Sequence, residues 1–160
     1  MIKIHKLSLQ DYPSCYNLLQ NNLIELEYFK DLGWTYSQFE NQFSKKINFS
    51  LGLFKNNILG AFIFGDLIYV ENILEYEIHL IYVANKDRKL GFASKLLENV
   101  KLTLKKNNLK KIYLEVAVDN LEAIRLYKKH NFIKTGMRKK YYNKNKQKID
   151  AYFFEKKIDD

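Results

Sequence analysis

Hydrophobic and polar residues recur along the chain with periods that predict its secondary structure. Residues 2–7 alternate between the two classes, as a strand does. Over residues 9–26 large apolar side chains recur every three or four positions, which predicts a helix. The same spacing predicts a second short helix over residues 36–43, and Thr35 or Ser37 is placed to cap it. The chain is therefore predicted to begin with one strand and two helices.

Runs of apolar residues in the next part of the chain predict strands. Residues 49–54 and 58–64 flank the polar segment Lys55-Asn56-Asn57, whose asparagines tolerate the positive φ of a tight hairpin. Residues 73–83 predict the next strand, which a glycine-containing loop separates from a helix that ends near Lys106.

The remaining segments complete the predicted architecture. Residues 111–118 are nearly all apolar, which is typical of a strand that a parallel pairing buries on both faces. Residues 120–129 predict a short helix, and residues 132–142 and 149–158 predict two strands joined by a lysine-rich loop. We therefore expect one α+β domain over residues 1–160, with a mostly antiparallel sheet and a central parallel β-α-β crossover.

The composition agrees with a folded domain. Of the 160 residues, 47% are hydrophobic and 15% are aromatic, which excludes intrinsic disorder. The chain has no apolar window long enough for a membrane span, and its first residues lack the apolar core of a signal peptide. Cys15 is the single cysteine, which suits a cytoplasmic location. We interpret it as a structural or incidental thiol on a surface helix.

The formal charge of +9 is unevenly distributed and invites a nucleic-acid interpretation. Between positions 134 and 148 the basic residues have no acidic residue among them; they are Lys134, Arg138, Lys139, Lys140, Lys144, Lys146 and Lys148. This cluster suits an acidic cofactor, RNA or solvent. Lysine-rich composition is also what an A+T-rich genome produces, so the charge alone does not choose among these alternatives.

The segment Arg88-Lys89-Leu90-Gly91-Phe92-Ala93 is the strongest local signal in the chain. It lies between a predicted strand and a predicted helix. The first N–H groups of a helix are unpaired and the helix dipole is positive there, so such a loop binds anions. Gly91 lets the backbone approach a phosphate closely.

This loop and a later segment resemble the GNAT (Gcn5-related) N-acetyltransferase superfamily. Arg88-x-x-Gly91-x-Ala93 resembles the family's pyrophosphate loop, and 120–132 resembles the second half of its core through Asn120, Ala123, Leu126-Tyr127 and Phe132. The family usually has glycine where this chain has Asn131, a residue that also tolerates the left-handed conformation. The resemblance implies a twisted mixed sheet of about seven strands with helices on both faces.

The resemblance also implies acetyl-CoA as cosubstrate and assigns residues to its binding, with no metal. Gly91 and its neighbours would bind the pyrophosphate, and the strand before the loop would bind the pantetheine amides through backbone groups. The full implied set is Ile81, Tyr82, Val83, Arg88, Lys89, Leu90, Gly91, Phe92, Ala93, Ser94, Asn120 and Tyr127.

Two residues have the chemistry that acetyl transfer requires. Glu115 is a plausible general base on a buried strand, and Tyr127, protonated at neutral pH, can donate to the leaving sulfur. Glu77 is the alternative base, as in other branches of the family. Against these roles, Glu115 can instead be a carboxylate paired with a lysine, and Tyr127 a packed core residue.

Within the superfamily, the chain resembles the RimI branch, which acetylates the N-terminal alanine of a ribosomal protein. Leu114-Glu115-Val116 and Arg138-x-x-Tyr141-Tyr142 carry this resemblance, together with Asp150-Ala151. A protein N-terminal α-amine is therefore the favoured acceptor, attacked directly in a ternary complex.

Two other hypotheses remain open. The acceptor can be a small amine, such as a polyamine, amino sugar or amino acid. The aromatic residues of the N-terminal half would then line a closed pocket; they are Tyr28, Phe29, Trp34, Tyr36 and Phe39. A less favoured hypothesis is a non-catalytic module that binds RNA or the ribosome through the basic cluster. No membrane partner is expected.

Overall fold

The computed structural model describes residues 1–144 and 147–159, so Lys146 of the basic cluster lies outside the described residues. The strands are β1 (Ile2–Lys6), β2 (Asn48–Lys55), β3 (Ile58–Val70), β4 (Ile73–Val83), β5 (Leu109–Ala117), β6 (Ile133–Lys144) and β7 (Gln147–Lys157). The α-helices are α1 (Tyr12–Gln20), α2 (Leu23–Asp31), α3 (Tyr36–Ser44), α4 (Phe92–Lys105) and α5 (Leu121–Lys129). No helix in this described part of the chain is long and apolar enough to cross a membrane.

All seven strands form one sheet in the order β1-β2-β3-β4-β5-β7-β6. β4 and β5 are parallel, and every other neighbouring pair is antiparallel. Because α4 connects the two parallel strands, the predicted central β-α-β crossover is confirmed.

The sheet has an apolar core on each face. The core on one face involves α4 and α5 and includes Leu96, Val100, Ile112, Leu114 and Phe154. The core on the other face involves α1, α2 and α3 and includes Leu19, Phe39, Phe43, Phe62 and Phe64. The expected placement of helices on both faces is therefore confirmed.

A β-bulge in β4 reverses which side chains point to which core. Ile78 pairs with Gly65 and Leu80 pairs with Phe64, so His79 is an extra residue in the ladder. Ile78 belongs to the core beside α4, whereas Leu80 belongs to the core beside α1. The bulge thus changes the direction of the second half of β4, close to the point where β4 and β5 separate.

The prediction of one continuous helix over residues 9–26 is wrong. A short 3-10 turn at Leu9–Asp11 precedes α1, and the chain breaks again before α2. The break is at Asn22, whose backbone is extended and whose side chain accepts a hydrogen bond from the Glu25 N–H at 3.2 Å. Asparagine competes with helical hydrogen bonding in this way, which apolar periodicity does not reveal.

Two further predictions need correction. The strand predicted over residues 58–64 continues to Val70, because Gly65 and Asp66 stay in the ladder opposite Ile78 and Glu77. A β-carbon at position 65 would lie 2.1 Å from the carbonyl oxygen of Glu77, so glycine is required by close approach and not by a turn. Cys15 is fully buried and not on a surface, and burial raises the pKa of its thiol.

Candidate active site

The separation of β4 from β5 creates the site. The last ladder pair of the two strands is Ile78 with Leu114, although β4 continues to Val83 and β5 to Ala117. β7 pairs with the opposite edge of β5 from Lys111 to Ala117, so it does not fill the gap between β4 and β5. The backbone edge of β4 that faced β5 is therefore available to an extended ligand.

The loop after β4 has the geometry of an anion site. Lys89 and Gly91 have φ values of 63° and 80°, and α4 begins directly after Gly91. The first hydrogen bond of the helix runs from the Lys95 N–H to the Gly91 carbonyl at 3.0 Å, so the N–H groups before Lys95 point out of the helix end. A β-carbon on Gly91 would meet nothing within 4 Å, which leaves room for a phosphate.

The loop and the separated strands border a cleft of about 950 Å³. All the predicted cofactor-binding residues line this cleft except Leu90, whose side chain is half exposed elsewhere on the loop. The structure thus brings together residues from β4, the loop, α4 and α5, and their role in binding stays a prediction. The sequence missed Glu25 on α2, which also lines the cleft, whereas Tyr28 and Phe29 on the same helix were expected only under the small-amine hypothesis.

Arg88 points toward α2. Its Nε donates to the Val83 carbonyl at 3.0 Å, and its Nη2 lies 2.6 and 2.7 Å from the two carboxylate oxygens of Glu25. The Tyr82 hydroxyl donates to the same carboxylate at 2.8 Å. The arginine therefore joins the loop to the helix that covers the cleft, and no local sequence signal predicts this partner.

α5 supplies two predicted residues to the cleft. Asn120 precedes the helix and its side-chain oxygen accepts a hydrogen bond from the Ala123 N–H at 3.2 Å, so it is an N-cap. Tyr127 packs beside Phe132 and Phe154 and still lines the cleft. Burial raises the pKa of Tyr127, which keeps the phenol protonated. Asn131 has a φ of 65° at the end of this helix, as predicted.

Glu115 does not line the cleft but lies beside it on β5. Its Oε1 is 3.2 Å from Nη2 of Arg138, while its Oε2 is buried and has no hydrogen-bond partner among the described residues. Burial raises the pKa of Glu115; Arg138 opposes this rise and Glu77 adds to it, and the net pKa is above the ordinary value. The carboxylate is paired with an arginine, where the sequence suggested a lysine.

A second polar group lies next to this carboxylate on β3 and β4. Asp66 is 2.9 Å from the His79 ring, and it accepts hydrogen bonds from Gln42 at 2.8 Å and Lys45 at 3.1 Å. Burial raises the pKa of Asp66, but these hydrogen bonds outweigh burial and lower it overall. Glu77, the alternative base, pairs with Asp66 in the ladder.

The basic cluster is divided among several contacts. Lys134 lies 4.2 Å from the Tyr152 ring centroid, and Arg138 is engaged by Glu115. Lys144 pairs with Asp119 after β5 and lies 5.7 Å from the Tyr28 ring centroid, so β6 reaches across the cleft to α2. These contacts involve three of the seven basic residues, and a role of the cluster in binding RNA stays a prediction.

The aromatic residues of the N-terminal half have separate roles. Tyr28 and Phe29 line the cleft, whereas Phe39 is fully buried and Trp34 packs edge-on against Phe64. Tyr36 contacts Tyr12 and Tyr16. The hypothesis that all five aromatic residues line one pocket is therefore wrong for Trp34, Tyr36 and Phe39, which do not line the cleft.

Comparison with known proteins extends this description. The model of the Acetyltransferase (GNAT) family matches residues 9–132. An N-alpha-acetyltransferase of Sulfolobus acidocaldarius is 35% identical over 82 residues, which cover 49% of this chain and 48% of that protein. The chain thus spans about half the length of this archaeal relative.

Two further matches extend over more of the chain. A spermidine N(1)-acetyltransferase of Vibrio cholerae is 25% identical over 142 residues, covering 84% of this chain and 80% of that protein. The crystal structure of the ribosomal-protein-S18-alanine N-acetyltransferase from Escherichia coli superimposes with a TM-score of 0.81 at 23% identity, covering 100% of this chain and 96% of that one. At this identity the superposition shows a shared fold.

Proposed function

The chain belongs to the GNAT acetyltransferase family, and we propose that it transfers the acetyl group of acetyl-CoA to a primary amine. The observation that carries this proposal is the separation of β4 and β5 after Ile78 and Leu114, directly beside the Gly91 loop. One end of the cleft suits an anion, and the other end lies near Tyr127 and Glu115. Acetyl-CoA, which is anionic at one end and a thioester at the other, suits both.

The residues of the cleft would hold the cosubstrate along its length. The N–H groups at the start of α4 and the hydroxyl of Ser94 would bind the pyrophosphate. The open edge of β4 would bind the pantetheine amides as a strand partner does, through the backbone groups of Ile81 and the N–H of Val83, whose carbonyl already accepts from Arg88. Backbone N–H groups fixed in this way would also stabilise the negative charge that develops on the thioester oxygen.

Tyr127 would protonate the leaving thiolate. Its phenol stays protonated because burial raises its pKa, and it reaches the cleft from α5. A positioned acid typically accelerates such a step by about 10²–10⁴-fold.

Glu115 would accept the proton of the attacking amine, through a water molecule since its carboxylate does not line the cleft. The raised pKa of Glu115 brings its carboxylate closer to the working pH. Glu77 is the alternative base. The amine attacks the thioester carbon directly, the C–S bond breaks, and the protein itself is not acetylated.

We infer that the acceptor is the α-amine of a protein N-terminus, with alanine at a ribosomal or other protein as the favoured case. An α-amine has a pKa of about 7.8 and is roughly one-third neutral at pH 7.5, whereas a lysine with a pKa near 10.4 is only about 0.1% neutral. A partly buried glutamate is a sufficient base for the former. The 35% identity to an N-alpha-acetyltransferase supports the same acceptor.

A small amine is the second candidate, because the spermidine acetyltransferase aligns with 84% of this chain. The two candidates are separated by kcat/KM for an alanine-initiated hexapeptide and for spermidine, each followed by release of free CoA. We expect the peptide to react with the larger kcat/KM. Faster reaction of spermidine would assign the small-amine function, and no reaction with any amine would reject the acetyltransferase proposal.

A further inference from the structure

His130 links the end of α5 to the beginning of α4. Its Nε2 lies 2.8 Å from the Ser94 hydroxyl, and its Nδ1 lies 3.3 Å from Oε1 of Glu98. The side chain is only 11% exposed. Ser94 lines the cleft, whereas His130 stands behind it. A titratable ring thus contacts a hydroxyl of the proposed phosphate site without lining the cleft itself.

The two contacts define the hydrogen positions on the ring. A carboxylate only accepts hydrogen bonds, so the Nδ1 that faces Glu98 carries a hydrogen. In the neutral ring Nε2 is then an acceptor, and the Ser94 O–H donates to it. In the protonated ring Nε2 also carries a hydrogen and donates to the Ser94 oxygen, which leaves the Ser94 hydrogen free.

We propose that His130 is a positioning residue that couples binding of the cofactor's phosphate at Ser94 to the uptake of a proton. The inference rests on the proposed function, since it takes acetyl-CoA as the ligand of the cleft. A phosphate oxygen needs a donor, and Ser94 can donate to it only when His130 donates to Ser94. The imidazolium also adds a positive charge behind the phosphate.

Charged groups on α4 and β7 surround His130. On α4, Glu98 faces the ring through Oε1, while its Oε2 lies 4.0 Å from Lys101. On β7, Lys156 borders the same small cavity as His130. Burial lowers the pKa of Lys156, and Lys101 lowers it further. A carboxylate is thus in direct contact with the ring.

The sign of the linkage follows from these contacts. Phosphate binding favours protonated His130, so binding takes up a proton, and affinity falls as the pH rises through the pKa of the ring. If the contact between His130 and Ser94 had only a structural role, its loss would change the stability of the protein. The pH dependence of CoA binding would then be the same in the wild type and in any variant that keeps the hydrogen bond.

The test is calorimetric titration of CoA between about pH 6 and pH 8. His130→Gln keeps a hydrogen-bonding group but does not titrate, and it also controls for ionisation of the CoA phosphates. We expect Kd to weaken about fivefold more in the wild type than in H130Q across this range, since a shift of one pKa unit corresponds to tenfold. His5→Gln, on the distant β1, is the matched control and should behave as the wild type.

A second variant keeps the inference testable if H130Q does not fold. Ser94→Ala retains the ring but removes the hydroxyl, and we expect it to lose most of the pH dependence that His130 causes. If CoA binds to the wild type and to both variants with the same pH dependence, the inference is overturned. Failure of the wild type to bind CoA at any pH would instead reject the proposed function.

Discussion

The guanidinium of Arg88 meets the carboxylate of Glu25, with Nη2 2.7 Å from Oε1 and 2.6 Å from Oε2. The two residues are 63 positions apart in the sequence and join the loop before α4 to α2. An arginine that a phosphate-binding motif contributes is therefore neutralised by a carboxylate that lines the same cleft. The negative charge of Glu25 therefore repels an anion that binds beside this pair.

Glu25→Gln should strengthen cofactor binding. The amide still accepts hydrogen bonds from Arg88 and Tyr82, but it removes a negative charge from the cleft. We expect the Kd for CoA to fall about threefold, which is the size of a partly screened charge contribution. Calorimetry measures this directly. Glu27→Gln on the same helix, where the side chain is 71% exposed, is the control and should leave Kd unchanged. Weaker binding by E25Q would contradict the proposed placement of the anion.

Gly91→Ala should weaken cofactor binding by more than backbone strain explains. The φ of 80° costs an alanine about 1–2 kcal/mol, and its methyl group would project into the space beside the loop. Gly33→Ala is a matched control, because Gly33 has a φ of 97°, also has nothing within 4 Å of a β-carbon, and lies outside the cleft lining.

Both glycine variants should therefore lose similar stability in thermal unfolding. Only G91A should bind CoA more weakly, by about tenfold or more, the effect of a group placed where a ligand oxygen should lie. Equal affinity in the two variants would show that the loop does not approach the ligand.

Tyr127→Phe should lower kcat without weakening CoA binding. The variant removes the proposed proton donor and keeps the ring that packs against Phe132. We expect kcat to fall about 100-fold or more, the usual contribution of a general acid. Steady-state kinetics measures kcat, and calorimetry measures affinity. Tyr69→Phe, at an exposed position on β3, is the control. An unchanged kcat in Y127F would assign Tyr127 to packing alone.

Glu115→Gln should remove the acidic limb of the pH–rate profile. The wild type loses activity as pH falls through the pKa of Glu115, which lies above the ordinary value because of burial. The glutamine variant should be slower by about 100-fold and should not show this limb. If Glu77→Gln loses the limb and E115Q retains it, Glu77 is the base.

The same variant should be more stable than the wild type at neutral pH. The pKa of this acid is raised in the folded protein, so stability falls as pH rises through that pKa, and ionised Glu115 is a cost above it. Glutamine removes the buried charge, and we expect a higher Tm in thermal unfolding. Glu71→Gln in the exposed β3–β4 turn should leave Tm unchanged. A lower Tm for E115Q would contradict the inferred cost.

Local chemistry in the sequence predicted much of the fold. Apolar periodicity predicted β4 with the bounds Ile73–Val83 that the structure has. The positive φ values at Asn56, Asn57 and Asn131 also followed from residue type, since asparagine tolerates that conformation. In these cases the residues that determine the local conformation lie within a few positions of it in the sequence.

The errors and omissions have long-range causes. The course of β3 through Gly65 depends on its partner strand, and the burial of Cys15 depends on the helix face that packs on the sheet. Glu25 forms an ion pair with Arg88, which is far from it in the sequence. His130 contacts Ser94, which lies 36 residues earlier. Periodicity and motif spacing contain no information on such pairs, so only the three-dimensional structure shows them.

The most direct test of acetyl transfer at this cleft is mass spectrometry after incubation with isotopically labelled acetyl-CoA and an alanine-initiated hexapeptide. Direct transfer predicts one labelled acetyl group on the peptide α-amine. It also predicts an unlabelled protein when acetyl-CoA is supplied without an acceptor. Label that stays on the protein, or label absent from every amine offered, would contradict direct transfer between the two substrates.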